Sequence, residues 1–250
     1  MRAWVEVDVR LTADGVPVLL HDSTLERTTN GRGSIAAALW ADVRRLDAGE
    51  TFDPAFAGEP VPALADFLEA ALEYDVGVNL ELKGTPEDAA TVAEVALTVA
   101  RALWQPGGPG ANHPPPLISS FAPSALEAAA RIAPDWPRGL LLDQIRPEWQ
   151  ADASRVDAAA VIVDHRLVLS PETVTALATD DRPVLAYTVN DPDRAAQLCR
   201  WGVSAVITDR PDAEMAKAMG MATKIRLGEN NFIYGSMVTS CGGHGHNTQP

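Results

Sequence analysis

Positive charge is scarce in this sequence. Only 20 Lys and Arg face 34 Asp and Glu across 250 residues, a formal net charge of -14. So acidic a chain is repelled by nucleic acid and by anionic membrane surfaces, and neither is expected as a partner. A charged partner should be a cation, or an anion held through a locally bound metal. No stretch reaches the roughly 18 apolar residues of a membrane-crossing helix, so no integral membrane segment is expected. Near the start, Glu6, Asp8 and Arg10 interrupt any signal-peptide core. Cysteine is equally sparse. Cys199 and Cys241 have no metal-ligand spacing and make no disulfide framework. They read as separate thiols, one on a helix face and one in a tail. With a reducing cytosol as the default, a soluble cytoplasmic protein is expected.

At 46% hydrophobic residues the chain has enough apolar material for one large core or for two domains. Strand-like runs fall at 4–9, 16–21, 76–83, 116–121, 139–142, 158–164, 183–190 and 203–208. Helical stretches fall at 63–74, 86–103, 123–132, 170–177 and 191–201, two of them opened by Ser170-Pro171 and Asp191-Pro192. Strands alternating with helices predict a parallel sheet. This many units favours a closed (β/α) barrel over an open sheet.

The first run carries the chemistry. In Trp4-Val5-Glu6-Val7-Asp8-Val9 the period is 2, so Glu6 and Asp8 project from one face. Two carboxylates held side by side repel unless a cation lies between them, and a hard divalent ion, Mg²⁺ or Ca²⁺, is the natural candidate. The chain then turns at Asp14-Gly15 and returns to present His21, a proton-transfer group. A second cluster lies at 76–83. Val76, Val78, Leu80 and Leu82 share one face, and Gly77, Asn79, Glu81 and Lys83 share the other. In a barrel the apolar face packs against helices while the polar residues look into the mouth. Glu81 is then a third carboxylate for the cation, and Lys83, nearer the rim, meets an anionic substrate. On an edge strand the same two residues would be an ordinary surface ion pair.

The ordered set Glu6-Val7-Asp8-Val9, Asp14-Gly15-Val16-Pro17-Val18, His21-Asp22 and Arg27-Thr28-Thr29-Asn30-Gly31 is followed by Glu81-Leu82-Lys83, Ser119-Ser120-Phe121, Tyr187-Thr188-Val189-Asn190 and Ile207-Thr208-Asp209-Arg210-Pro211. In this order and spacing the chain resembles the glycerophosphodiester phosphodiesterase family over roughly residues 3–212. The resemblance implies a (β/α)8 TIM-type barrel with a small insertion around 23–62. It implies metal-dependent hydrolysis of small-molecule phosphodiesters to glycerol 3-phosphate and an alcohol. Glu6, Asp8 and Glu81 would hold the cation, and His21 would be one of two catalytic histidines. Lys83, Phe121 and Tyr187 would contact substrate, Tyr187 standing where the family more often has tryptophan.

The family's opening strand, with its His-Arg-Gly motif and Pro-Glu-Asn-Thr helix start, has no match; the chain opens on the second unit. A barrel lacking its first β–α unit is therefore expected, with a gap filled by nothing, by the tail or by another copy. In the tail, 213–219 reads as a helix and the remainder to 250 as disordered. An apolar run leading to Gly242-Gly243-His244-Gly245-His246 loosely resembles the unmatched strand, and would bring His244 or His246 toward His21. The alternative function is a truncated, weakly active or non-catalytic barrel that binds cation and phosphate.

Overall fold

Valines alternating with polar residues build the first strand. The computed structural model describes residues 3–211 and 236–241. In it Trp4–Leu11 forms β1, with Val5, Val7 and Val9 packed outward into the main core. A short return strand, β2 (Pro17–Leu19), pairs antiparallel with the end of β1. After α1 (Trp40–Val43) and α2 (Leu64–Glu73), the chain alternates regularly: β3 (Gly77–Leu82), α3 (Ala89–Trp104), β4 (Leu117–Ser120), α4 (Pro123–Ile132), β5 (Arg138–Leu142), α5 (Trp149–Arg155), β6 (Ala160–Asp164), α6 (Pro171–Leu177), β7 (Val184–Tyr187), α7 (Pro192–Arg200) and β8 (Ala205–Thr208). A last strand, β9, spans Ser236–Ser240.

β1 and β3 to β8 are parallel neighbours in that order. β9 lies between β8 and β1, antiparallel to both, and closes the ring. This is a TIM-type barrel with one reversed stave. The expected gap is therefore filled, and the tail fills it. The reversed direction carries Cys241 to the bottom of the barrel, away from the C-terminal strand ends. The helix expected over 213–219, and His244 and His246, lie outside the described residues.

Two apolar layers follow from strand alternation. Val78, Leu80 and Leu82 join the valines of β1 beneath the helices, whereas Leu141, Ile162, Leu185 and Ile207 fill the lumen. A third cluster of Val18, Leu20, Leu25, Ile35, Val43 and Val61 holds the insertion. Gly77 opens β3 because a Cβ there would come within 2.5 Å of the Trp4 ring.

One expectation needs correction, and one helix is added. Cys199 and Cys241 are not separate thiols but a disulfide, 42 residues apart in sequence. The β8–β9 pairing brings Cys241 beside the end of α7, where its N–H donates to the Ser204 carbonyl at 2.9 Å. With that bond goes the cysteine-based argument for a reducing compartment. Helix α5 was also not anticipated, since its sequence WQADASR is largely polar; it buries Trp149 and Ala153, and Asp152 is capped by Arg155 at 2.6 Å. Among the described residues no helix is long and apolar enough to cross a membrane.

Candidate active site

Parallel pairing of β1 with β3 sets Glu6 opposite Asn79 and Asp8 opposite Glu81, all on the lumen side. Glu6, Asp8 and Glu81 each bring a carboxylate oxygen within 4.8 Å of the other two. Glu6 and Glu81 are buried. Burial, then the charge of Asp8, pushes the Glu81 carboxyl above its ordinary range, against the pull of Lys83. Lys83 Nζ lies 3.2 Å from Asp8 and in closer contact with Glu81. Burial draws the Lys83 ammonium's pKa down, but Glu81 and Asp8 outweigh it and leave it raised. Beneath the triad, Ser119 Oγ donates to Asn79 Oδ1 at 2.9 Å. Three hard oxygen donors held this close, two of them out of water, fit a divalent cation of the Mg²⁺ or Ca²⁺ type.

His21 is held over the same strand end. The Leu20 N–H donates to the Asp8 carbonyl at 3.0 Å, and Arg10 Nε donates to the His21 carbonyl at 2.8 Å. His21 Nδ1 lies 2.7 Å from Asp22 Oδ1. With the Nδ1 proton given to that carboxylate, Nε2 is left to exchange a proton with solvent or substrate. Arg27 grips Asp22 through Nε and Nη2 at 2.5 and 2.9 Å. That pairing, more than the contact with His21, holds the Asp22 carboxyl far below the usual carboxylate range. Asp22 and Arg27 were visible as motif letters, but their orienting role was not. The signal was there in a carboxylate next to the histidine and a guanidinium five residues on.

Across the mouth, Phe121 and Tyr187 meet edge to face, with ring centroids 5.8 Å apart. Lys83 Nζ lies 5.5 Å from the Phe121 centroid. The Tyr187 hydroxyl donates to the Leu142 carbonyl at 3.1 Å. Burial, then Asp164 and Asp143, pushes this phenol well above its ordinary pKa, so it stays protonated. Beside Lys83 and Phe121 a cavity of about 350 Å³ opens, lined also by Gly84, Ser120 and Pro123. At Gly84 a Cβ would strike the Ala89 backbone at 2.5 Å, so glycine lets β3 turn sharply into α3. All seven expected site residues thus gather at one end of the barrel.

Residues 3–213 match the model of the glycerophosphoryl diester phosphodiesterase family. The chain belongs to this family. A glycerophosphodiester phosphodiesterase of Caldanaerobacter subterraneus is 29% identical over 208 residues, covering 83% of this chain and 82% of that one. One from Bacillus subtilis is 27% identical over 221 residues, covering 84% and 74%. Among solved structures, an Oleispira antarctica phosphodiesterase in complex with the product sn-glycerol-3-phosphate superposes with a TM-score of 0.79 at 31% identity, covering 87% of this chain and 85% of that one. The chain is an enzyme of the phosphodiesterase class, and its barrel mouth is where such an enzyme keeps its active site.

Proposed function

We propose that this enzyme hydrolyses glycerophosphodiesters to glycerol 3-phosphate and an alcohol, using a divalent cation held by Glu6, Asp8 and Glu81. The observation that carries the reading is the convergence of these three carboxylates within 4.8 Å at the strand ends that also support His21. A cation bound there neutralises non-bridging phosphate oxygens and lowers the pKa of an attacking hydroxyl. His21 serves as one acid–base group, moving a proton at Nε2. Asp22, ionised far into the acid range and clamped by Arg27, accepts from Nδ1 and fixes the orientation of the ring. Lys83 meets the phosphate, and Phe121 and Tyr187 flank the alcohol. The bound product in the Oleispira antarctica relative supports glycerol 3-phosphate as the group released here.

A coupled assay of glycerol 3-phosphate release tests this, run with Mg²⁺ or Ca²⁺ and again with EDTA. Release that depends on the metal is expected. Release indifferent to EDTA would remove the cation from the reading, and no release with either metal would remove the substrate.

A further inference from the structure

Lys83 sits two residues beyond Glu81 and on the same face, so its side chain folds back over the triad. Its Nζ contacts Asp8 at 3.2 Å and Glu81 more closely, with only 15% of the side chain exposed. Buried like charges need a counter-ion, and in this arrangement the chain supplies its own. A divalent cation seeking the same oxygens would meet a positive charge already among them. The Lys83 backbone is fixed, because its N–H donates to the Val9 carbonyl at 3.0 Å; only the side chain is free to yield. In this same position Nζ already lies over the face of Phe121, 5.5 Å from its centroid, at the edge of the cavity lined also by Gly84 and Ser120, so the way outward runs along that ring.

We propose that Lys83 is a resident counter-ion which a divalent cation displaces, and that displacement delivers the ammonium past Phe121 to the substrate phosphate. The proposal rests on the metal-site reading above and adds a coupling to it. Metal and phosphate each favour the same outward position of Lys83, so each strengthens the binding of the other. Without metal, the ammonium is spent on the carboxylates.

Calorimetric titration separates this exchange from a merely structural ion pair. Mg²⁺ is titrated into the parent, Lys83→Met and Lys83→Arg, each alone and then with sn-glycerol 3-phosphate added to the metal-saturated protein. Lys83→Met should bind Mg²⁺ at least about tenfold tighter, since a competing charge is gone, while Lys83→Arg stays within about threefold of the parent. The same Lys83→Met protein, once loaded, should bind glycerol 3-phosphate at least about tenfold more weakly. Opposite signs for the two ligands are the signature. Mg²⁺ affinity in Lys83→Met equal to or below the parent's overturns the exchange, as does undiminished glycerol 3-phosphate binding. Melting of each metal-free variant checks the fold, and Lys83→Gln replaces Lys83→Met if the latter is not folded. A parent that binds no metal overturns both the exchange and the metal site. A parent that binds metal, beside a Lys83→Met that binds it no better, overturns the exchange alone.

Discussion

Replacing Cys199 and Cys241 with alanine removes the covalent anchor of the strand that closes the barrel. The bond joins residues 42 apart, so in the unfolded chain it closes a loop of that length. Loop-closure entropy for about 42 residues corresponds to about 4 kcal/mol at 25 °C. The folded side of the balance changes less, because β9 keeps its register with Trp4, Val5 and Glu6 of β1 and with Ala205 to Thr208 of β8. For a chain of this size about 1 kcal/mol moves the melting temperature by about 2–4 °C, so a fall of about 8–16 °C is expected. Thermal unfolding of the oxidised parent, the parent in dithiothreitol and the Cys199→Ala,Cys241→Ala variant measures the fall, and urea unfolding of the same three measures the free energy. The reduced parent should unfold near the variant, and both well below the oxidised parent. Alkylation under denaturing conditions should label both cysteines only after reduction. A parent midpoint indifferent to dithiothreitol would refute the reasoning, as would a variant within about 0.5 kcal/mol of the oxidised parent.

His21→Ala should lower kcat by about 10²–10⁴, the usual share of a general acid or base, while calorimetric metal affinity stays level; a loss of metal affinity would move His21 out of the acid–base role. Glu81→Gln should weaken Mg²⁺ and Ca²⁺ binding in titration, and parent-like affinity would exclude Glu81 from the site. Asp22→Asn should lower kcat at least about tenfold by releasing the imidazole from its orienting carboxylate, with little change in KM. The same variant tests linkage. Since the folded-state pKa of Asp22 is held below its ordinary value, its stabilising effect is present above about pH 4 and lost as pH falls further. Asp22→Asn should therefore flatten the acid limb of a stability-against-pH profile; an unchanged limb would count against the Arg27 pairing.

What the sequence disclosed follows from local periodicity. Glu6, Asp8 and Glu81 were legible because residues two apart on a strand share a face, and the intervening valines and leucines said which face is buried. Parallel pairing of the two strands then had to bring the carboxylates together, as the Asp8–Glu81 register does. Long-range contacts were not legible. Nothing in Glu81-Leu82-Lys83 says that the ammonium turns back onto the triad rather than out toward the rim. Cys199 and Cys241 carry no spacing signal, because their proximity is produced by β9 entering beside β8. Helix α5 escaped notice because only three of its seven residues are buried, too few for a clear apolar stripe.

The direction of β9 separates closing the wall from building the site. Each parallel stave delivers its C-terminal end, and the loop after it, to the mouth where the carboxylates, His21 and the aromatic pair sit. β9 runs the other way, with Ser236 level with Glu6 and Ser240 level with Ala205 near the bottom. It therefore satisfies backbone groups along the seam with its N-terminal rather than its C-terminal end toward the mouth. The edge of β1 that faces this seam is divided: Trp4 to Glu6 pair with β9, and Val9 to Leu11 pair with β2. Glu6 and Asp8 lie on either side of the hand-over, where the Leu20 N–H bonds the Asp8 carbonyl. Both neighbours thus brace the free edge of the strand whose pairing with β3 sets Asp8 opposite Glu81. The disulfide, fixed to α7 at the far end, secures one of those neighbours without touching the chemistry.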